Sequence, residues 1–363
     1  MRRLHLKRQT KTFDKRLFLL SLLLTAIGLV AIADASAPLA VKEFSDRYYF
    51  FKQQLVWALL GFFLMILFAN IKYTFWRKLS TPFFIFSVLS LIIVLIPGIG
   101  ESYLGARRWI VFGDITVQPS EMVKFSLCLY FAALSCTNAK VNSFLIPIFL
   151  IGFLIMLEPD LGTTLVILAI GLSQVFISGI GLVPFFILII TMSFLSLILT
   201  LTSDYRRERL MTFIKQTQDP LGKEYHIRQI LLALGSGGAF GVGLGKSRQK
   251  YLFLPETATD SIFPIIAEEV GFIGASLIIF LFFLYFFRII KIASHAPDTF
   301  SKIFTIGFAA WLGGQTFLNI GSMLAVVPLT GIPLPFISYG GSSLISILAA
   351  SGIVLNISRH VKA

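Results

Sequence analysis

Ten apolar runs recur along this chain, each close to the length that crosses the hydrocarbon core of a bilayer, and no water-soluble fold could bury so many. They are Leu17–Ala37, Leu55–Ile71, Pro82–Gly98, Met122–Cys136, Phe144–Leu157, Leu161–Ile180, Leu182–Thr202, Ile262–Phe287, Ile303–Val327 and Tyr339–Ile357. The runs from Met122 and Phe144 are the short ones. Only 13% of the 363 residues are charged, against roughly 25% in a globular protein, so lipid is the solvent for most of the chain. The expected fold is an all-α polytopic membrane protein of ten transmembrane helices, with one large extracytoplasmic loop containing amphipathic helices. It divides into a basic tail at 1–16, a membrane domain at 17–357 that includes the loop 203–261, and a short tail at 358–363.

The N-terminus imitates a cleavable signal, because Ala35-Ser36-Ala37 follows a basic region and an apolar run. That run is longer than a signal core and further spans follow, so it reads as an uncleaved first span. The net charge of +13 suggests nucleic acid until its location is considered. Seven basic residues crowd Met1–Arg16 against the single acid Asp14, which is a membrane-orienting tail beside anionic lipid, not a nucleic-acid arm. With the N-terminus inside, the cytoplasmic segments carry sixteen basic residues and the short outer loops and their edges six. Both termini are therefore expected on the cytoplasmic side, with the chain multi-pass in the membrane. Cys128 and Cys136 are too far apart on one helix for a disulfide. The four histidines have no zinc spacing. The two five-span halves share no motif, which counts against a duplicated transporter.

Charge inside a span is costly and tends to be paired or functional. Glu121 and Lys124 share a helix face at the start of the fourth span, as a helix-end ion pair or as part of a site. Glu158-Pro159-Asp160 breaks the fifth span from the sixth, as a tight turn or as a pair of cavity-facing acids. Glu268 and Glu269 lie well inside the eighth span, and adjacent acids face different ways, so at least one calls for a cation or a wet cleft. Arg107 and Arg108 offer guanidinium forks on the outer side that suit phosphate oxygens or lipid headgroups.

The large loop carries two amphipathic patterns, Leu210-Phe213-Ile214 after a basic cluster and Ile227-Ile230-Leu231-Leu234. The glycine-rich Gly235–Ser247 stretch imitates a phosphate-binding loop. Phe240 stands where the G-x-x-x-x-G-K-[ST] pattern needs glycine, and G-x-G-x-x-G fails as well. These glycines read instead as a place for close backbone approach to a lipid or sugar ligand. Asp260, just before the eighth span, suits a helix N-cap; it is also a carboxylate held at a water-facing mouth beside Lys246, Arg248 and Lys250.

Gly105–Trp109, Gln118-Pro119-Ser120-Glu121 with Lys124, Glu158–Thr164, the Gly235–Gly245 run, Leu254-Pro255-Glu256 with Thr259-Asp260, Glu268–Gly271 and Pro333–Ser343 together resemble the SEDS family of bacterial cell-wall polymerases, which holds RodA, FtsW and SpoVE. The blocks run in family order along essentially the whole chain. Tyr48-Tyr49-Phe50 before Lys52–Leu55, and Gly331-Ile332, look more like FtsW and SpoVE than RodA. The resemblance implies a peptidoglycan glycosyltransferase that polymerises lipid II on the outer face of the membrane. It implies cell-division proteins and a class B penicillin-binding protein as partners, and a divalent cation, Mg2+ or Mn2+, as cofactor. It places the family's essential aspartate on Asp260, the expected general base. Ser261 stands where the family usually has an aromatic, and Pro264 where it has alanine.

The implied reaction joins a sugar 4-hydroxyl to an anomeric carbon and expels undecaprenyl pyrophosphate. Pyrophosphate leaves readily once its charge is neutralised, so one base and a set of cations suffice. Arg107, Arg108 and Lys124 are the expected phosphate binders and Lys250 a further cation at the substrate. Glu121 would position Lys124, and Asp160 or Glu269 would line the cavity. Pro328–Gly341 reads as an outer rim for the departing strand or as a rigid linker. The alternatives are a RodA-like elongation polymerase, a lipid II flippase or related transporter, and a non-catalytic division scaffold.

Overall fold

The computed structural model describes residues 12–361 except 104–105, 114, 138, 180–185, 187–189, 191–224 and 252–256. Six of its helices are long and apolar enough to cross a membrane: α1 (Lys15–Ala35), α3 (Tyr49–Asn70), α4 (Tyr73–Val94), α9 (Ile262–Ser294), α10 (Thr299–Met323) and α11 (Gly341–Ser358). The short α2 (Ala37–Phe44) follows α1. Three shorter helices, α5 (Pro119–Leu134), α6 (Asn142–Leu157) and α7 (Leu161–Ile177), match the fourth, fifth and sixth expected spans. The seventh, Leu182–Thr202, lies outside the described residues apart from Phe186 and Ile190, as does the amphipathic pattern at Leu210–Ile214.

One correction concerns the segment after α4. It forms an antiparallel sheet of β1 (Gly100–Tyr103), β2 (Ala106–Phe112) and β3 (Ile115–Val117), in that order across the sheet. Ile110-Val111-Phe112 and Ile115-Thr116-Val117 are β-branched and aromatic, flanking Gly113 at φ 60°. The helical reading therefore holds for the membrane part, with this small sheet added between α4 and α5.

Polar side chains between helices find partners there, as burial in hydrocarbon demands. Tyr285 Oη on α9 bonds Ser351 Oγ on α11 at 2.7 Å, and Gln174 Nε2 on α7 donates to the carbonyls of Cys128 and Ile303. One end of the bundle is pinned by charge. Asp14 caps α1 by accepting from Leu17 N and pairs with Arg288 of α9. Asp298 makes a capping box with Ser301 on α10 and accepts from Tyr73 Oη at 2.7 Å.

The second amphipathic expectation is met by α8 (Tyr225–Ser236), with its face rotated. Ile230 and Ala233 are buried, while Leu231 and Leu232 are exposed. The Pro328–Gly341 segment packs partly into the bundle. Ile332, Leu334, Phe336 and Ile337 are buried, and Gln54 of α3 holds its end through Ser338 O and Gly340 N.

Candidate functional site

Asp260 sits half-buried in the turn that leads into α9. It is not the helix cap: Ser261 takes that position and makes no capping bond with its side chain. Thr259 Oγ1 donates to Asp260 Oδ1 at 3.2 Å. Two neighbouring elements fix the main chain. Asn319 Nδ2 of α10 donates to Asp260 O at 2.9 Å and to Ile332 O at 2.7 Å, and Tyr339 N donates to Ala258 O at 2.8 Å. Ser261 is fully buried and its hydroxyl lies 3.0 Å from His226 Nε2 on α8. A polar contact thus occupies the place of the family's aromatic.

One turn along α10 lies a second cluster. Lys124 Nζ donates to Glu121 Oε1 at 2.6 Å and to Gln315 Oε1 at 2.8 Å, and it stands 5.4 Å from the Trp311 ring centroid. Trp311 Nε1 also donates to Gln315 Oε1, and Gln315 Nε2 donates to Pro333 O. Both Glu121 and Lys124 are buried. The pair forms as expected, but it is sealed under Trp311 and offers no open ammonium to a phosphate. Since Gln315 and Asn319 share one face of α10, one helix holds both the Lys124 network and the Asp260 turn.

The two arginines part company on β2, because neighbours on a strand face opposite ways. Arg108 turns in, donating through Nε to Glu158 O at 2.9 Å and through Nη2 to Pro159 O at 2.6 Å, with Nη1 3.7 Å from Asp160 Oδ2. Asp160 caps α7 by accepting from Thr163 N and Thr163 Oγ1. Arg107 is exposed. Between these groups Glu158 is buried with neither carboxyl oxygen hydrogen-bonded. Burial first, then the Asp160 carboxylate, push its pKa up to about 9 against the pull of Arg108.

The fourth cluster joins the loop to α1 and α9. Lys250 Nζ lies 2.7 Å from Asp34 Oδ2 and 3.0 Å from Glu269 Oε1. Burial works to lower the Lys250 pKa, but these hydrogen bonds outweigh it and the net shift is upward. Glu269 Oε1 also accepts from Ser247 N, and Glu268 accepts from Ser247 Oγ at 2.5 Å and from Arg248 N. Lys250 and Glu269 were both expected in the site, and the structure pairs them. Asp34 was missed, although an acid 18 residues into the first run was its signal.

The glycine-rich stretch has a different use from the one expected. Gly271, at φ 71° and ψ −174°, breaks α9. The broken helix trades backbone bonds with the loop: Val242 N donates to Glu268 O, Gly243 N to Glu269 O, Phe272 N to Gly238 O and Ile273 N to Ala239 O. A Cβ on Gly241 would sit 2.1 Å from Glu269 O, and one on Gly271 would sit 2.2 Å from Gly241 N. The close approach is to α9's own backbone.

Of the four cations expected at the substrate, Arg108, Lys124 and Lys250 are committed to internal partners and Arg107 faces outward. Among the described residues, no three carboxylate, histidine or cysteine side chains gather in metal-binding geometry. The described residues therefore do not fit a protein-built cage for the divalent cation.

A helical membrane bundle with a half-buried carboxylate held at one end by inward polar clusters defines a multi-pass membrane protein with a candidate site at that end. The FtsW/RodA/SpoVE cell cycle protein model matches residues 14–363, and the chain belongs to that family. It is 40% identical over 357 residues to stage V sporulation protein E of Bacillus subtilis, covering 96% of this chain and 97% of that one. It is 39% identical over 367 residues to the probable peptidoglycan glycosyltransferase FtsW of Buchnera aphidicola, covering 98% and 96%. Among solved structures, a chain of a peptidoglycan synthase complex that coordinates polymerization and crosslinking superposes with a TM-score of 0.77 at 29% identity, covering 96% and 98%. The rod shape determining protein RodA of Thermus thermophilus superposes with a TM-score of 0.72 at 28% identity, covering 97% and 98%.

Proposed function

We propose that this chain is a peptidoglycan glycosyltransferase that polymerises lipid II on the outer face of the bacterial cytoplasmic membrane. The observation that carries the reading is Asp260: a half-buried carboxylate whose backbone is tied to α10 and to the Tyr339 segment. Rigid placement at a partly desolvated mouth is what a general base needs. Asp260 takes the proton of the acceptor 4-hydroxyl as its oxygen bonds to the anomeric carbon of the growing strand. The bond from that carbon to the pyrophosphate oxygen breaks, and undecaprenyl pyrophosphate leaves. Arg107 is an exposed guanidinium available to it, while Glu121, Lys124, Arg108, Asp160, Lys250 and Glu269 hold the surrounding elements in place.

The reading places ten spans across the membrane, with both termini in the cytoplasm. The partner is a class B penicillin-binding protein that crosslinks the new strands, in keeping with the synthase complex whose chain superposes on this one. The relatives named FtsW and SpoVE favour a role in cell division over a RodA-like role in elongation. Polymerisation of labelled lipid II by the purified chain, with and without the transpeptidase, tests the activity. Asp260→Asn should abolish polymer while leaving the folded protein intact; glycan made at the parent rate would remove the base role. Lipid II movement across proteoliposomes without polymer would favour a flippase.

A further inference from the structure

We propose that the loop from Gly238 to Arg248 is an outer-leaflet lipid anchor, seated in the bilayer at the junction of acyl chains and phosphates. It fixes the height of Asp260 over the membrane.

Two charge layers set the depth scale. At one end of α1, Asp14 pairs with Arg288 of α9; at the other, Asp34 joins Glu269 of α9 through Lys250. The 20 residues between the two aspartates rise about 30 Å along a helix, which matches the hydrocarbon thickness of a bilayer. Charged layers so spaced mark its two boundaries. Gly241 packs against the α9 backbone at Glu269 and Gly271, and Val242 and Gly243 bond to the carbonyls of Glu268 and Glu269, so the loop lies at the outer boundary.

Its side chains are those of an interfacial anchor. Phe240 is 83% and Leu244 72% exposed, and Val242 is exposed between them. They continue the exposed surface of α9, where Phe272 is 73% exposed and Phe280 and Phe283 follow, and that of α8 through Leu231 and Leu232. Lys246 and Arg248 follow immediately and are exposed. Apolar groups entering acyl chains with basic groups at the phosphates form the pattern of a membrane-surface element. Irregular backbone tolerates lipid only where its polar groups have partners. The broken α9 supplies them, accepting from Val242 and Gly243 and donating to Gly238 and Ala239. The seven residues from Glu269 back to Ile262 rise about 10 Å, which puts Asp260 at headgroup height, where a lipid-linked sugar is presented.

The test uses the full chain in nanodiscs of phosphatidylcholine and phosphatidylglycerol, with Phe240→Trp and Leu244→Trp made singly and the parent emission subtracted. Lipid brominated high on the acyl chain should quench the added emission by about two-fold or more, and aqueous iodide should quench it weakly. Strong iodide quenching with no response to bromolipid at both positions overturns the anchor. So does emission that ignores bromolipid and changes only on adding the transpeptidase, which would make the loop a protein dock. If one variant fails to fold, the other gives the same reading. The readout does not depend on polymerase activity, so failure of the enzymatic proposal leaves it standing.

Discussion

Asn319 spends both hydrogens of its side-chain amide on main-chain carbonyls, one from Asp260 at 2.9 Å and one from Ile332 at 2.7 Å. A single neutral side chain on α10 therefore ties the proposed base to the packed segment before α11. Nothing about that joint requires charge, so it can sit in the bundle without the cost of an ion.

Asn319→Leu should strand the buried carbonyl of Ile332, at a cost of about 1–3 kcal/mol, and the part-buried one of Asp260 at less. Because Asp260 is held through its own carbonyl, lipid II polymerisation should lose about ten-fold or more in kcat per folded molecule, with KM changing less than about two-fold. Steady-state kinetics on monodisperse protein check this. A lower folded yield with kcat intact would reduce Asn319 to a purely structural group.

The spans were legible because apolar length is a property of a short window. Glu121 with Lys124 was also legible, since three residues on a helix decide that contact. Pairings across elements were not. Lys250 meets Asp34 over 216 positions, and only the packing of α1 against the loop brings them together. Gln315 and Asn319 showed helical spacing in an apolar run, but uncharged amides carry little of the insertion penalty that singles out acids and bases. The glycine run suggested close approach correctly and the wrong partner, because a helix break at Gly271 has meaning only once the loop is there to fill it.

Removing the ammonium from the Asp34–Lys250–Glu269 cluster should do more harm than removing one acid. Lys250→Met leaves two carboxylates facing each other with little solvent, and breaking buried pairs of this kind costs about 3–5 kcal/mol. Asp34, part-exposed at the edge of the cluster, should tolerate Asn with a smaller loss. Thermal unfolding in detergent, with the Lys250→Met/Glu269→Gln pair as a partial rescue, separates the two.

Glu158 should give stability a slope in pH. Its folded pKa is raised from 4.5 to about 9, so between those values the native state holds a proton that the unfolded state has released. Stability therefore falls as pH rises through that window, and below it the group contributes nothing. Glu158→Gln should flatten the slope, raising the unfolding temperature by several degrees near the top of the window and leaving it unchanged at about pH 4. Equal shifts at both pH values would mean that the carboxyl is not held protonated.

The interlock between loop and broken helix can be tested by adding one methyl at a time. Gly238 and Gly241 both have positive φ, 54° and 83°, so alanine at either meets the same kind of backbone strain, about 1–2 kcal/mol. They differ in surroundings: a Cβ at Gly238 meets nothing within 4 Å, whereas one at Gly241 meets Glu269 O at 2.1 Å. Gly238→Ala should therefore stay near the strain cost alone. Gly241→Ala should also push the loop off α9, disturb the bonds from Val242 and Gly243 to the Glu268 and Glu269 carbonyls, and loosen Ser247 and Lys250 with them. Hydrogen exchange of the Val242 and Gly243 amides distinguishes the two variants directly, with fast exchange expected only in Gly241→Ala. Equal protection in both would show that the loop can shift outward at no cost and that the helix break does not depend on it.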